Sequence, residues 1–200
     1  MPATDRDVID ALVGIESGSA LDAIRARRPE ARAHAQASYR ALFAPGAPGG
    51  VSLPERFAVG AFVASLHGEP TTQAYYQARL AECGAPPALR GAVDAAIAEA
   101  KGRGPYGSFP AGPLSRENQP GPAYRAGTET RRALGPRLAA ALEHMHLLVF
   151  HPRDAQPPAL KALVDAGWST TDIVTLSQIA AFMSFQIRVV AGLRVLAGRS

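Results

Sequence analysis

Two hundred residues with 47% hydrophobic content suffice to bury one core, as a single domain or as two small repeated units, and they exclude a disordered chain. The net charge of +4 rests on scattered arginines, and the densest group, Arg25, Arg27, Arg28 and Arg32, lacks the interleaved aromatics that stacking on bases requires. It reads as a solvated helix face, and no nucleic acid partner is expected.

The first eighteen residues, MPATDRDVIDALVGIESG, carry acids inside their apolar run and are not read as a signal peptide. Helical periodicity follows over 5–14 and 20–43, with Pro29 starting a second segment or kinking the first. These N-terminal helices, 1–45, end in the linker Ala44-Pro-Gly-Ala-Pro-Gly-Gly50. Helices are expected next at 53–67, 71–82 and 86–101. Residues 102–127 hold too much Gly and Pro for a long regular element and form a loop of the length that serves as a lid or partner-binding segment. Helices resume at 128–150, 157–166 and 169–197. Abundant Ala and few β-branched residues make the chain all-α, one domain throughout.

An internal repeat spans the loop. Gly50-Val-Ser-Leu-Pro-Glu55 and Gly167-Trp-Ser-Thr-Thr-Asp172 share one pattern: Gly, an apolar residue, Ser, two variable residues, then an acid. In each, Ser caps a helix start and the acid reaches back to the Ser amide. Two related helical repeats follow, about 50–101 and about 128–198.

The last helix is apolar around most of its circumference and is expected to pack against its own domain and a partner subunit, with Phe182, Met183 and Phe185 in the core. Gln178, Gln186 and Arg188 interrupt that surface and, if buried, need partners at a pocket or an interface. The uncharged run from Ile173 to Ile187 is too short to span a bilayer, so no membrane partner is expected.

Glu143-His-Met-His-Leu-Leu-Val-Phe-His-Pro152 invites a metal reading, but residues two apart on a helix point to different sides, so His144 and His146 cannot ligate one ion. Structural, dipole or acid/base roles remain for these histidines, and neither metal nor cofactor is expected. One cysteine, Cys83, excludes an intrachain disulfide framework and a cysteine-cage zinc site, which fits a reducing cytoplasm. It precedes Gly84 at a helix C-terminus, the wrong end for a reactive thiolate. Glu55 is a candidate acid/base that the capping box with Ser52 also explains.

The segment Leu160 to Arg188, with its short Leu-rich helix, Gly167, capped start ending in Asp172-Ile-Val, and then Gln178, Ala181-Phe182 and Arg188, resembles the closing helix pair of the carboxymuconolactone decarboxylase and alkylhydroperoxidase D superfamily. A weaker likeness covers Leu53 to Leu80, and the whole is most similar to the two-repeat, peroxidase-related branch. The resemblance implies an alkylhydroperoxidase D-like helical bundle that assembles into homo-oligomers: dimers, trimers or hexamers. In the redox members an Asn-Gly turn leads into Cys-x-x-Cys-x-x-x-His, where two thiols one turn apart close a disulfide. Here His67-Gly68 stands at the Asn-Gly place, the cysteine positions fall on Glu69 and Thr72, and the histidine position falls on Tyr76. The relay glutamate falls on Phe57, with Glu55 two residues early. The resemblance therefore implies a peroxidase-related protein without the redox cysteines. It points to acid/base chemistry on a small organic acid, with His67, Glu69, Tyr76 and Glu55 as candidate catalytic residues. A non-catalytic oligomeric scaffold is the alternative.

Overall fold

A computed structural model describes residues 6–198. Among them are nine α-helices and no strand, so the chain is all-α. In chain order these are α1 (Val8–Val13), α2 (Ala20–Ala26), α3 (Pro29–Phe43), α4 (Leu53–Leu66), α5 (Pro70–Glu82), α6 (Pro87–Glu99), α7 (Thr128–Phe150), α8 (Pro157–Asp165) and α9 (Thr170–Ala197). Pro29 begins α3, where its missing N–H costs nothing.

The centre of the bundle is α4, whose residues from Arg56 to Ala64 are all buried. A helix enclosed on every side needs small residues where its neighbours come closest, and Gly60 is that place. A Cβ there would lie 2.7 Å from Cδ1 of Tyr76 and 3.2 Å from Cε1 of Phe43. The Tyr76 ring cannot yield, because it is packed at a tilt against Phe43 and Phe57 and its hydroxyl is tied to Gln186. Gly60→Ala is therefore expected to cost about 1–2 kcal/mol, overpacking outweighing the gain in helix propensity. Urea unfolding would check this, and an unchanged or raised midpoint would show that α4 and α5 can separate freely.

The two capping boxes form, with Ser52 paired to Glu55 and Ser169 paired to Asp172, and they start α4 and α9. Arg137 bridges them. Its Nε donates to Glu55 at 3.1 Å, its other nitrogens reach the carbonyls of Gly50 and Gly167, and its guanidinium lies 3.7 Å from the centre of the Trp168 ring. The bridge depends on a break in α7. The periodicity predicts an unbroken helix over 128–150, but Gly135 takes φ 77° and Pro136 follows, which displaces the chain just before Arg137.

Two expectations change. Arg25 is not on a solvated face: it is 8% exposed and pairs with Asp7 at 2.6 Å and also with Asp10, joining α2 to α1. Phe185, expected in the core, is 46% exposed, whereas Phe182 and Met183 are buried as predicted. The uncharged stretch of α9 is short, yet α9 as a whole is long and apolar enough to cross a membrane by length and composition. Its inner face, from Ile173 to Leu193, is filled by the bundle.

The long loop lies against the C-terminal end of α7. Its ring of Tyr106 meets Phe150 and His151, Arg153 donates to the Tyr106 carbonyl at 3.1 Å, and the amide of Ala126 donates to Glu143 at 2.9 Å. One part of it, at Gly102–Pro105, faces α4 and α9, and another, at Ala123–Arg125, faces α7 and α8. Each walls a separate cavity.

Candidate functional site

The junction between α4 and α5 turns at Gly68, with φ 66°, a conformation glycine adopts without strain. His67 caps the C-terminus of α4 and Glu69 caps the N-terminus of α5, so the two side chains leave the turn in different directions.

Glu69 accepts from the amide of Thr72 at 2.7 Å and pairs through its other oxygen with Arg194. Burial alone would raise its carboxyl, but the Thr72 contacts and the Arg194 guanidinium outweigh that and hold it below its usual value. Tyr76 is fully buried and donates to Oε1 of Gln186 at 2.8 Å; burial pushes its phenol well above the usual range. Neither residue lines the cavity that His67 faces. Glu55 is occupied by Ser52 and Arg137. His67 alone of the four sequence-predicted residues opens on that cavity.

The His67 cavity is a cleft of about 760 Å³, walled by the end of α4, the loop at Gly102–Pro105, the end of α7 and one side of α9. Nε2 of His67 lies 3.1 Å from the Ser184 hydroxyl, and Arg188 donates to the Ser184 carbonyl at 2.8 Å. Burial, then the charge of Arg188, hold the imidazole below its usual value, so the ring is neutral at neutral pH. Arg103 contributes a second guanidinium from the loop. The remaining wall is apolar, with Leu148, Val149 and Phe150, and no carboxylate lines the cleft. An arrangement of this kind can hold an anion against two guanidiniums and offer it a base.

The sequence marks Arg188 as a residue that needs a partner if buried; its side chain is exposed, yet it lines this cleft. Arg103 carries no such signal, because a single Arg in a Gly- and Pro-rich loop acquires its neighbours only from the fold. Among the described residues no three His, Cys, Asp or Glu side chains converge closely enough to hold a metal. Cys83 caps α5, donates to the Leu80 carbonyl at 3.2 Å, and has its thiol pushed up by burial. The chain matches no protein-family model, no curated protein and no solved structure.

Proposed function

We propose that this chain is a carboxymuconolactone decarboxylase/alkylhydroperoxidase D-like protein of the two-repeat, peroxidase-related branch, working without the redox cysteines. Its chemistry is proton transfer on a small organic acid, in the cytoplasm, as a homo-oligomer. The observation that carries this reading is the His67 cleft: a neutral imidazole beside Arg188 and Arg103, apolar walls, and no carboxylate.

In that cleft the guanidiniums receive the substrate carboxylate, since charge-assisted hydrogen bonds in a partly dry site are the strong ones. His67 then takes a proton from the carbon made acidic by a neighbouring carbonyl and returns it to the product. Ser184 holds the ring in place. Glu69 and Tyr76, engaged with Arg194 and Gln186, support the junction instead of touching substrate.

A panel of small carboxylated lactones, incubated with the protein in D2O, tests this by NMR. Exchange of the acidic C–H is expected with the native chain and is expected to vanish in His67→Ala, while Arg188→Gln weakens carboxylate binding roughly tenfold or more. Absence of both exchange and binding across the panel would favour the second reading, a non-catalytic oligomeric scaffold. The large apolar side chains left exposed on α9, Val174, Phe185, Val195 and Leu196, favour that reading.

A further inference from the structure

The helices α4 and α9 start next to each other, because Arg137 reaches Glu55 and the carbonyls of Gly50 and Gly167 at their two capping boxes. They meet again at the far end of α4. Gly50 and Gly167 stand 117 residues apart, and so do His67 and Ser184. The register set by the two capping boxes therefore decides which residue of α9 lies opposite His67.

That residue carries a hydroxyl. A serine or threonine inside a helix commonly turns its hydroxyl back to a carbonyl of the preceding turn. On the same helix Thr175 does so to Thr171 at 3.1 Å, and Ser177 to Ile173 at 2.8 Å. The Ser184 hydroxyl is turned elsewhere: among the described residues its partner is Nε2 of His67, at 3.1 Å. Both side chains are half-buried, and both residues line the His67 cleft.

We infer that Ser184 is a nucleophile with His67 as its base, the hydroxyl donating to Nε2, and that the cleft hydrolyses small aryl esters that carry a carboxylate. The inference rests on the reading of His67 as the base of this cleft and adds a covalent step to it. A hydroxyl within hydrogen-bond reach of a neutral imidazole is the pairing that nucleophilic catalysis uses. Burial and the charge of Arg188 keep the ring unprotonated at neutral pH, the state in which it accepts a proton. Arg188 donates to the Ser184 carbonyl at 2.8 Å, so its positive charge stands near the oxygen that turns negative during attack. Arg103, from the loop, receives the carboxylate. No acid lines the cleft to complete a triad, which restricts the pair to esters with a good leaving group.

In the first step Oγ of Ser184 bonds to the ester carbon while its proton passes to Nε2 of His67. The bond from that carbon to the aryl oxygen then breaks, and His67 gives the proton to the leaving oxygen. Water repeats the sequence on the acyl-serine. Its oxygen bonds to the same carbon, one proton goes to His67, the bond to Oγ breaks, and Ser184 recovers the proton. Ester and water become acid and phenol.

The test uses the full chain with the mono-para-nitrophenyl ester of terephthalic acid, whose carboxylate cannot reach its own ester, and with the neutral para-nitrophenyl benzoate. A burst of nitrophenolate is expected, together with a chain heavier by one acyl group that peptide mass analysis places on Ser184. The carboxylated ester is expected to react about tenfold faster than the neutral one. Ser184→Ala is expected to lose the adduct, and His67→Gln to slow its formation about a hundredfold or more. The acylation rate is expected to rise with pH through an inflection below 6.5, since His67 must be neutral and its value is lowered. In the native chain, ring-nitrogen NMR is expected to find the His67 proton on Nδ1. No adduct on the native chain, an adduct on another residue, or a ring proton on Nε2 would overturn the inference, whether or not either variant folds. Exchange of the acidic C–H without an adduct would overturn it and leave the proton-transfer reading intact; an adduct on Ser184 without exchange would do the reverse.

Discussion

Replacing Arg56 by alanine is expected to cost about 3–5 kcal/mol of stability, and to lower the melting temperature by on the order of 10 °C. The side chain is 5% exposed, and its guanidinium donates to three carbonyls, Val51 at 2.8 Å, Leu42 at 2.7 Å and Pro48 at 2.7 Å. These carbonyls belong to the end of α3 and to the linker that follows it, a segment whose prolines and glycines give it no regular hydrogen bonds of its own. Burial pushes the guanidinium below its usual value, against the fields of Asp172 and Glu55, but an arginine stays charged, and the three carbonyls supply what water would have supplied. Removing the donor leaves buried acceptors unpaired, the more expensive side of any hydrogen-bond deletion. Arg56→Lys separates geometry from charge: one ammonium cannot reach three diverging carbonyls, so lysine is expected to recover less than half of the loss. Thermal unfolding checks both. Full recovery by lysine would mean that charge near Asp172, and not the linker carbonyls, is what the position supplies.

Arg56 also marks the limit of what the sequence discloses. Helix positions were legible because they depend on local pattern: the capping boxes at Ser52 and Ser169, and Pro29 at the start of α3, act within a few residues of where they stand. The role of Arg56 is not local. Beside the capping box it looks like an ordinary charged residue in the first turn of a helix, and its burial follows from the linker folding back over it. Arg25 misled for the same reason, since only the approach of α1 turns an exposed basic stripe into a buried ion pair. Phe185 misled in the opposite direction: a phenylalanine in an apolar helix is assigned to the core by pattern, although the bundle covers only part of the circumference of α9. At the candidate site, position along the chain led to His67 but also to Glu69 and Tyr76, because adjacency in sequence says nothing about which way side chains leave a turn. Arg194 and Gln186, which hold those two residues away from the cleft, lie 125 and 110 residues along the chain.

Acidification is expected to weaken the fold well before its carboxylates titrate, by roughly 2 kcal/mol between about pH 7 and pH 5. The group responsible is His146, whose ring burial, and then the charge of His151, bring down from 6.5 to about 4. A histidine with a depressed folded value binds protons more weakly in the native state than in the unfolded chain. Its contribution is complete above the unfolded value and is lost as pH falls from there toward the folded one. His144 and His67 are shifted in the same direction by burial and add to the same slope. The carboxyl groups held below their usual values, Asp22, Glu69, Glu99 and Asp154, contribute in a lower window, because their unfolded values are 3.8 for the aspartates and 4.5 for the glutamates. The interval above pH 5 therefore isolates the histidines. Urea unfolding at a series of pH values reads the slope directly, since the midpoint follows stability when the surface exposed on unfolding is constant. His146→Phe fills the same space against Phe150 and Tyr124 but carries no proton, so it is expected to remove most of the slope while leaving a folded chain at neutral pH. A slope equal to that of the native chain would assign the acid sensitivity to His144 and His67, and would mean that water reaches His146 easily enough to protonate it near its ordinary value.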